Sequence, residues 1–522
     1  MLRLVGSHVA SVTCLWLNEI YNEPNEPSTS WRYPAHPKKH QQAMPPLKHP
    51  FSDGKLPFGW NSVPGYWPKR LIHVESIVSA ERDDETVYHL GDTKIKEPEY
   101  STLSYTWGRW RIKGPEAATS PALPVTGTPW PIPAVDSKHF TVDAFRTVVE
   151  QIASQGVDWV WIDIGCIDQR RDNPQEDFIN TQAPIEMGRQ AGIFKRAKNT
   201  YVWLCRLKNA ELSAAVDGVQ QYGLYLFEYI HGAHHKEPIP NDIVQMLKVN
   251  FDRIFSDPWF SSLWTLQEVV LRNDALVLST EGLPIPWMRT AFTEHYTYLT
   301  MFINHCKNIY QDLERAIELT QRRSTFWRAS HQAISAIHDI RKQILQAGLY
   351  YLFSTNPNVQ YGTARYRNAS RKEDRVYAIM QIYNLRVGKS ANPNSNPTLD
   401  ELETEFAGAI NGRGAILGQY FVHTQDPGDG ATWKITENSF VPDGLRMYRD
   451  PVDDATITVS KSGKGGVTTA IAISESGHGR FPLPFLDLST RRFNLSRNRE
   501  ALSSDKQSPK QGKQTLSTVS KP

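Results

Sequence analysis

Cysteine is scarce in this chain, and the scarcity bears on metal sites, disulfide bonds and cellular location. The 522 residues include 4 cysteines, and no two stand at the C-x-x-C spacing that is typical of zinc sites and redox motifs. Small secreted proteins that rely on disulfide bonds carry cysteine much more densely. The sequence therefore predicts no metal centre and no disulfide framework, and it favours a reducing, intracellular compartment, with the cytoplasm as the default.

Net charge and long apolar runs are lacking as well. The formal net charge is +3, so there is no global basic field of the kind that attracts nucleic acid. No uninterrupted apolar run reaches the roughly 20 residues that a membrane-spanning helix needs. The moderately apolar first 17 residues are interrupted by Ser7, His8 and Ser11 and lead to no clear cleavage pattern. We expect no specific nucleic-acid partner, no transmembrane segment and no secretion signal.

Composition divides the chain into four parts. Residues 1–68 include a Pro-rich stretch without sustained periodicity and predict a largely disordered leader. Residues 70–285 alternate strand-like and helical runs, which is typical of an α/β domain with a mainly parallel sheet flanked by helices. Residues 290–425 predict a mainly helical C-terminal extension, because apolar residues recur there at steps of three and four. Residues 427–522 predict a low-complexity, basic, disordered tail.

Two short patterns resemble ligand sites but lack a required part. Residues 462–469 contain the glycines and lysine of a phosphate-binding loop without its G-K-[ST] ending, which indicates a flexible linker. His231, His234 and His235 stand at helical spacing, but no acidic pattern such as H-E-x-x-H accompanies them. A surface cluster of histidines is therefore the favoured interpretation.

The strongest local signal lies in residues 157–169, where an apolar run ends in a polar cluster. Such a run favours a strand that is buried on both faces in a parallel sheet. Ligand sites in such sheets lie outside the carboxyl ends of the strands, so we expect Asp163, Cys166, Asp168 and Gln169 at that edge. A second interpretation stays open, in which Asp163 merely caps the turn after a core strand.

Residues 100–108 form a second notable segment, an alternating strand that ends in an aromatic residue and a glycine. We expect Gly108 to permit a tight turn or a close backbone approach. Trp107 offers a flat face beside it.

Residues 257–271 form a third segment. Asp257 before Pro258 is typical of a helix start, with a capping residue followed by proline. Gln267 and Glu268 extend from the middle of this helix, next to large aromatic residues. Partial burial there would raise the pKa of the Glu268 carboxyl and make it a candidate acid or base.

In this order, the three segments resemble the fungal heterokaryon incompatibility (HET) domain. The family's blocks look like Tyr-x-Ala-Leu-Ser-Tyr-x-Trp-Gly, Trp-Ile-Asp-x-x-Cys-Ile-Asn-Gln and Trp-x-x-Gln-Glu. They are carried here by residues 100–108, 161–169 and 258–268. Each block alone is weak evidence for the family, but the three blocks together are a highly specific signature. The resemblance covers roughly residues 70–280, with a looser match to about residue 386.

The chain departs from the family pattern at three positions. Thr102 stands where Ala is usual, and a strand tolerates that change easily. Asp168 stands where Asn is common, which adds a negative charge beside Asp163, and Ser262 stands where many members have Arg. The departures leave the fold unaffected and bear on the chemistry of the site.

The resemblance implies a fold similar to that of TIR domains, with a flavodoxin-like, mainly parallel sheet. It also implies an effector or signalling role in fungal non-self recognition and programmed cell death. Some TIR relatives cleave NAD with a glutamate near the ribose, which makes NAD a possible substrate here; no cofactor is implied. On this hypothesis Glu186 or Glu268 is the catalytic carboxylate, Asp163 orients a ribose hydroxyl and Trp107 stacks on a base. The remaining members of a binding or polar core site are Gly108, Trp161, Cys166, Asp168, Gln169, Trp264 and Gln267.

Two other functions remain open. In the first, the three blocks form a polar-lined core of a non-catalytic module, which self-associates or binds an upstream sensor protein. In the second, Cys166 is the nucleophile of a hydrolase, but no His lies in the three blocks to activate it. A buried structural thiol is favoured for Cys166.

Overall fold

The computed structural model describes a core portion of the chain with several gaps. Residues 1–66 of the predicted leader and most of the predicted tail lie outside the described residues, as do His234 and His235. Trp67, inside the predicted leader, is described and is buried in the core around the central sheet. The described residues are 67–83, 87–172, 182–232, 239–289, 294–322, 331–352, 356–413, 421–428, 431–442, 455–461 and 469–475.

Strands and helices alternate in the first half of these residues, and helices dominate the second half. The strands are β1 (Arg70–His73), β2 (Val78–Glu81), β3 (Val87–Leu90), β4 (Thr93–Lys96), β5 (Tyr100–Ser104), β6 (Trp159–Trp161), β7 (Thr200–Trp203), β8 (Leu276–Leu278), β9 (Pro286–Arg289), β10 (Glu294–Tyr296), β11 (Val422–His423), β12 (Ser439–Phe440), β13 (Ala455–Lys461) and β14 (Thr469–Glu475). The α-helices are α1 (Val142–Ala153), α2 (Asp163–Cys166), α3 (Gln182–Met187), α4 (Gln190–Arg196), α5 (Asn209–His231), α6 (Asn241–Phe255), α7 (Leu263–Leu271), α8 (Leu299–Arg322), α9 (His331–Gln346), α10 (Pro357–Tyr361), α11 (Asp374–Tyr377) and α12 (Leu399–Arg413).

Six strands form the central sheet, in the order β2-β1-β6-β5-β7-β8. Strands β6, β5, β7 and β8 are parallel to one another, while β1 runs antiparallel to both β2 and β6. Every residue of β5, β6 and β7 is buried, as expected for parallel strands that are covered on both faces. The prediction of a mixed α/β fold with a mainly parallel sheet is confirmed.

Two apolar clusters form the core. One surrounds the central sheet and includes Phe145 of α1, Trp161 of β6 and Phe194 of α4. The other joins α5, α6 and α7 to α8, α9 and α12 through residues such as Leu247 and Ile340. Helices within residues 290–425 therefore share a core with helices that precede β8.

Four two-stranded antiparallel sheets accompany the central one: β3 with β4, β9 with β10, β11 with β12, and β13 with β14. The β13–β14 hairpin lies within residues 427–522, where the sequence had suggested no regular element. In the part of the chain that the structure describes, no helix has both the length and the apolar character needed to span a membrane.

Candidate functional site

The carboxyl ends of β5 and β6 are joined through a tryptophan and an aspartate. Trp107, in a 3-10 turn directly after β5, donates from Nε1 to Asp163 Oδ2 at 2.7 Å. Asp163 Oδ1 accepts the backbone N–H of Ile164 at 2.7 Å, in the first turn of α2. Asp163 therefore lies at the carboxyl edge of the sheet, where its side chain also supports the turn after the strand; a functional role for it stays a prediction.

The end of β5 is also joined to α7. Glu268 accepts a hydrogen bond from Ser104 Oγ, and Ser104 Oγ in turn accepts one from Trp259 Nε1 at 2.8 Å. Glu268 is 9% exposed and Gln267 is fully buried. The first and third family blocks therefore meet through side chains in the interior of the protein.

Two glutamines extend this network. Gln190, at the start of α4, donates from Nε2 to Glu268 Oε1 at 3.4 Å. Gln267 Nε2 donates to Gln190 Oε1 at 3.3 Å. Sequence reasoning had not singled out Gln190, which lies between the second and third family blocks. The side-chain amide of Gln190 therefore links the side chain of Gln267 to the side chain of Glu268.

The environment of Glu268 disfavours its charged form. Burial raises the pKa of the Glu268 carboxyl from 4.5 to about 8, the nearby Asp163 charge adds to the rise, and the Ser104 hydrogen bond opposes it. The carboxyl is therefore mostly protonated at neutral pH. A titration point this close to physiological pH is typical of groups that give and take protons in catalysis.

Glu186 lies in a different environment, beside the start of β1. Its Oε1 accepts the backbone N–H of Lys69 at 2.9 Å, and Arg189 lies 3.8 Å from its Oε2. Burial raises the pKa of Glu186 to about 7, while Lys69 and Arg189 oppose the rise. Asp163 acts electrostatically on Glu268, so of the two glutamates it is Glu268 that the structure groups with the Trp107–Asp163 pair.

The polar residues at the end of the second block are engaged locally. Asp168 is buried and forms an ion pair with Arg170, with 2.5 Å between Oδ2 and Nη2. Gln169 Nε2 donates to the backbone carbonyls of Ile167 at 2.7 Å and Asp163 at 3.1 Å. The negative charge that distinguishes this chain from the common Asn pattern is therefore compensated by a cation two residues away.

We expect Asp168→Asn to change the free energy of unfolding by less than about 1 kcal/mol, since the Arg170 side chain is 30% exposed and water screens the pair. An Asn oxygen can still accept the Arg170 N–H, which Asp168 Oδ1 now accepts at 2.9 Å. Urea denaturation at low and high salt measures the effect, and the difference should shrink in high salt. A loss of more than about 2 kcal/mol would show that the charge itself is structurally required.

Three further candidates take structural positions. Cys166 is buried, and burial raises the pKa of its thiol far above the usual range, so a thiolate is disfavoured and the structural interpretation is supported. Trp161 is fully buried and packs edge-on against Phe194, with 5.7 Å between ring centroids. Trp264 is partly buried against the helical core.

Gly108 lies in open space, in a backbone conformation that other residues can adopt. It is exposed, it is absent from the residues with positive φ, and a Cβ built on it would meet nothing within 4 Å. Neither a tight turn nor a close approach within the described residues requires glycine here. The chain leaves β5 in a 3-10 turn at this point, and a close approach at Gly108 stays a prediction.

Asp257 joins the third block to the end of β7. Its side chain accepts the backbone N–H of Trp259 at 2.9 Å, as the predicted cap requires, and those of Cys205 at 2.7 Å and Arg206 at 3.0 Å. The helix begins as a 3-10 turn, Pro258–Ser261, before α7. The sequence predicted the cap but not the contact with β7.

Arg367 was missed by sequence reasoning. It is fully buried and donates to the carbonyls of Trp259 and Ser262 at 3.0 Å each, to Thr265 Oγ1 at 3.1 Å and to the carbonyl of Ala347. It stands in a stretch without apolar periodicity, so no local signal marks it. Its contacts join the third block to the residue after α9.

Of the three clustered histidines, His231 is the one that lies in the described residues. His231 Nε2 lies 2.9 Å from Asp312 Oδ1, which makes it half of an ion pair when protonated. Within the described ranges, no three His, Cys, Asp or Glu side chains are grouped so that they could hold a metal ion.

Residues 100–268 match the family model described as Heterokaryon incompatibility protein (HET). Neither a curated protein nor a solved structure was found to match the chain. The matched span begins with β5 and ends at Glu268, so it includes the Trp107–Asp163 and Ser104–Glu268 contacts. The resemblance that the three sequence blocks indicated is confirmed, and this chain carries a heterokaryon incompatibility domain.

Proposed function

We propose that this protein is an effector or signalling module in fungal non-self recognition and programmed cell death, with the HET domain as its active part. The convergence of the three blocks carries the proposal. At the carboxyl end of β5, Ser104 of the first block donates to Glu268 of the third, and Trp107 of the first block donates to Asp163 of the second. The free state of the described cysteines fits the cytoplasm as its place of action.

We propose that the HET domain is flavodoxin-like, as TIR domains are. Counted from β5, the parallel strands lie in the order 2-1-3-4, which is the order of the first four strands of a flavodoxin-like sheet. In such sheets the ligand binds at the switch point between the first and third strands, here β5 and β7. We place the domain at residues 70–285 and a helical extension at residues 290–425. Because the two parts share an apolar core, we propose that they fold as one unit.

Cleavage of NAD is a second candidate function, and the environment of Glu268 favours it. Water would add to C1′ of the ribose as the bond to the nicotinamide nitrogen breaks, giving ADP-ribose, nicotinamide and a proton. The nicotinamide ring of NAD and the oxocarbenium-like transition state are both cationic, so either one would favour the ionised form of a nearby carboxyl. Glu268 would thus lose its proton when the substrate binds, and Asp163, held by Trp107, would orient the ribose.

Purified full-length protein incubated with NAD tests this candidate, with nicotinamide and ADP-ribose measured by chromatography. We expect Glu268→Gln to reduce turnover by at least about 100-fold, a typical loss when a group that stabilises transition-state charge is removed. Glu186→Gln, a matched change at the other buried glutamate, should cost less than about tenfold. No turnover by the wild type, even when concentrated or oligomerised, would contradict NAD cleavage.

The non-catalytic alternative has an observation of its own in its favour. Asp163 accepts hydrogen bonds from the Trp107 side chain and the Ile164 backbone. Gln169 donates to backbone carbonyls. Such bonds are expected of polar groups whose role is to satisfy one another in a core. In this alternative the chain acts by binding an upstream protein or a second copy of itself. Cell death in a growth assay that persists in a folded Glu268→Gln variant, without NAD loss, would favour it.

A further inference from the structure

The short connection between α3 and α4 determines where a side chain of the candidate site lies. Glu186 is in the last turn of α3, and Gln190 begins α4. The side-chain amide of Gln190 donates to Glu268 Oε1 at 3.4 Å and accepts from Gln267 Nε2 at 3.3 Å. Because this amide is on the first residue of α4, its position depends on where the helix begins and in which direction it runs.

The start of α4 is held by a residue that is far away in the sequence. Arg189, the residue before the helix, makes no capping hydrogen bond with its own side chain in the described structure. Gln381 Oε1 accepts the backbone N–H of Ala191, one of the first N–H groups of the helix, which have no partner within it. Gln381 Nε2 donates to the carbonyl of Met187, the last residue of α3. One side-chain amide thus joins the end of α3 to the start of α4.

Gln381 belongs to the proposed helical extension, beyond the span that matches the family. It lies in a 3-10 turn, Met380–Tyr383, and is 2% exposed. The same turn contacts both α4 and α7, and α7 carries Gln267 and Glu268. Hydrogen bonds in a buried environment are stronger than exposed ones, so this turn holds together the two helices whose side chains meet at Glu268.

A second residue of the extension packs against the same junction. Gly188 lies between α3 and α4, and a Cβ built on it would be 3.0 Å from Ser390 Cβ and 3.1 Å from the Ser390 carbonyl oxygen. Ser390 is itself buried, and its Oγ donates to the carbonyl of Val387 at 2.7 Å. The extension therefore holds the junction by close packing as well as by hydrogen bonds, and a shift of the extension would move the first residues of α4.

We propose that Gln381 is a positioning residue of the candidate site, through which the helical extension controls the contact between Gln190 and Glu268. Movement of the turn Met380–Tyr383 would release the start of α4, and Gln190 would lose its fixed place beside Glu268. The carboxyl would then lose a donor that stabilises its ionised form, and it would hold its proton more tightly. This inference rests on the proposal that Glu268 belongs to the active part of the HET domain, and it names the regulation of that site.

An infrared titration of the protonated Glu268 carboxyl band in the full chain tests the inference, with Glu268→Gln used to assign the band. We expect Gln381→Met to raise the pKa of Glu268 by about half a unit to one unit, the effect of losing one ordinary hydrogen bond. Gln381→Asn should give a smaller rise, since it keeps the amide on a shorter side chain. The matched control is Gln343→Met. Gln343 also joins the extension to an earlier helix, through Asp252 of α6, and its loss should leave the pKa of Glu268 unchanged.

A double-mutant cycle shows whether the effect runs through Gln190. In a Gln190→Met background, Gln381→Met should produce no further rise in the pKa of Glu268. Gly188→Ala leaves Gln381 in place and pushes the junction away from Ser390, so it should raise that pKa in the same direction. This variant tests the junction even if Gln381→Met does not fold.

Three results would overturn the inference: an unchanged pKa of Glu268 in folded Gln381→Met, a rise of full size that persists in the Gln190→Met background, or an equal rise in Gln343→Met. None of these measurements uses NAD or requires turnover. The positioning role can therefore hold where NAD cleavage is absent, and cleavage can be present where Gln381 has no influence on Glu268.

Discussion

At pH 9, Glu268→Gln is expected to be more stable than the wild-type protein, although it removes a residue from the centre of the candidate site. Burial raises the pKa of Glu268 from 4.5 to about 8 in the folded protein. Between about pH 5 and pH 8 the unfolded chain has lost this proton while the folded protein keeps it, so wild-type stability falls as pH rises. One pKa unit corresponds to about 1.4 kcal/mol, which makes the total loss on the order of several kcal/mol. Glutamine has no proton to lose.

Urea denaturation at pH 5.5 and pH 9 measures this effect. The difference in free energy of unfolding between the variant and the wild type should shift in favour of the variant at the higher pH. Glu186→Gln is the matched control and should show the same sign with a smaller magnitude, since the pKa of Glu186 is raised only to about 7. A difference that does not change with pH would contradict the raised pKa of Glu268.

The pH dependence of stability distinguishes a functional carboxyl from a scaffold residue only together with activity, because Glu186→Gln should show the same sign. A glutamine at this position could still accept the Ser104 hydrogen bond and would carry no penalty for ionisation. To avoid placing its Nε2 against the Gln190 Nε2 donor, the amides of Gln190 and Gln267 would have to turn over. An ionisable carboxyl that weakens the fold at high pH is a cost that proteins commonly carry at active sites. A stabilised but inactive Glu268→Gln variant would therefore support a chemical role for this carboxyl.

Local patterns in the sequence were enough to predict the main parts of the site. The apolar run before Asp163 and the alternation before Trp107 indicate strands, and the carboxyl ends of parallel strands meet at one edge. The Asp257 cap followed from the residue pair Asp-Pro. Side chains near these boundaries are positioned by elements a few residues long, which a single sequence can reveal.

The choice between Glu186 and Glu268 could not be made from the sequence. Both lie near aromatic residues and both are buried, but their neighbours come from distant parts of the chain. Glu268 meets Ser104, 164 residues away, while Glu186 meets Lys69, 117 residues away. Such pairings depend on how helices pack on the sheet, and helical periodicity alone does not specify them.

Arg367→Met is expected to lower the free energy of unfolding by on the order of 3–5 kcal/mol, because buried carbonyl groups would lose their donor. Those carbonyls belong to Trp259 and Ser262, next to α7, and to Ala347, next to α9. The backbone pairing of Asn368 with Ser261 and Leu263, at 2.7 and 2.9 Å, would remain at this junction.

The control for this variant is Arg375→Met. Arg375 also donates to two backbone carbonyls, those of Ala364 and Arg367, but its side chain is 22% exposed, so water can replace it and the loss should stay near about 1 kcal/mol. Arg367→Lys should fall between the two, since an ammonium keeps the charge without the planar fork. Equal denaturation midpoints for Arg367→Met and the wild type would contradict the prediction.

The consequence of Arg367→Met should also reach the candidate site. Trp259, whose carbonyl Arg367 holds, donates to Ser104 at 2.8 Å, and Ser104 donates to Glu268. If Trp259 shifts, the Ser104 hydrogen bond that lowers the pKa of Glu268 should weaken, and that pKa should rise further. An infrared titration of the protonated carboxyl band, compared between Arg367→Met and Arg375→Met, measures this. If the pKa of Glu268 rises in Arg367→Met and not in Arg375→Met, then Arg367, about 100 residues beyond the family's matched span, influences the pKa of a carboxyl inside that span.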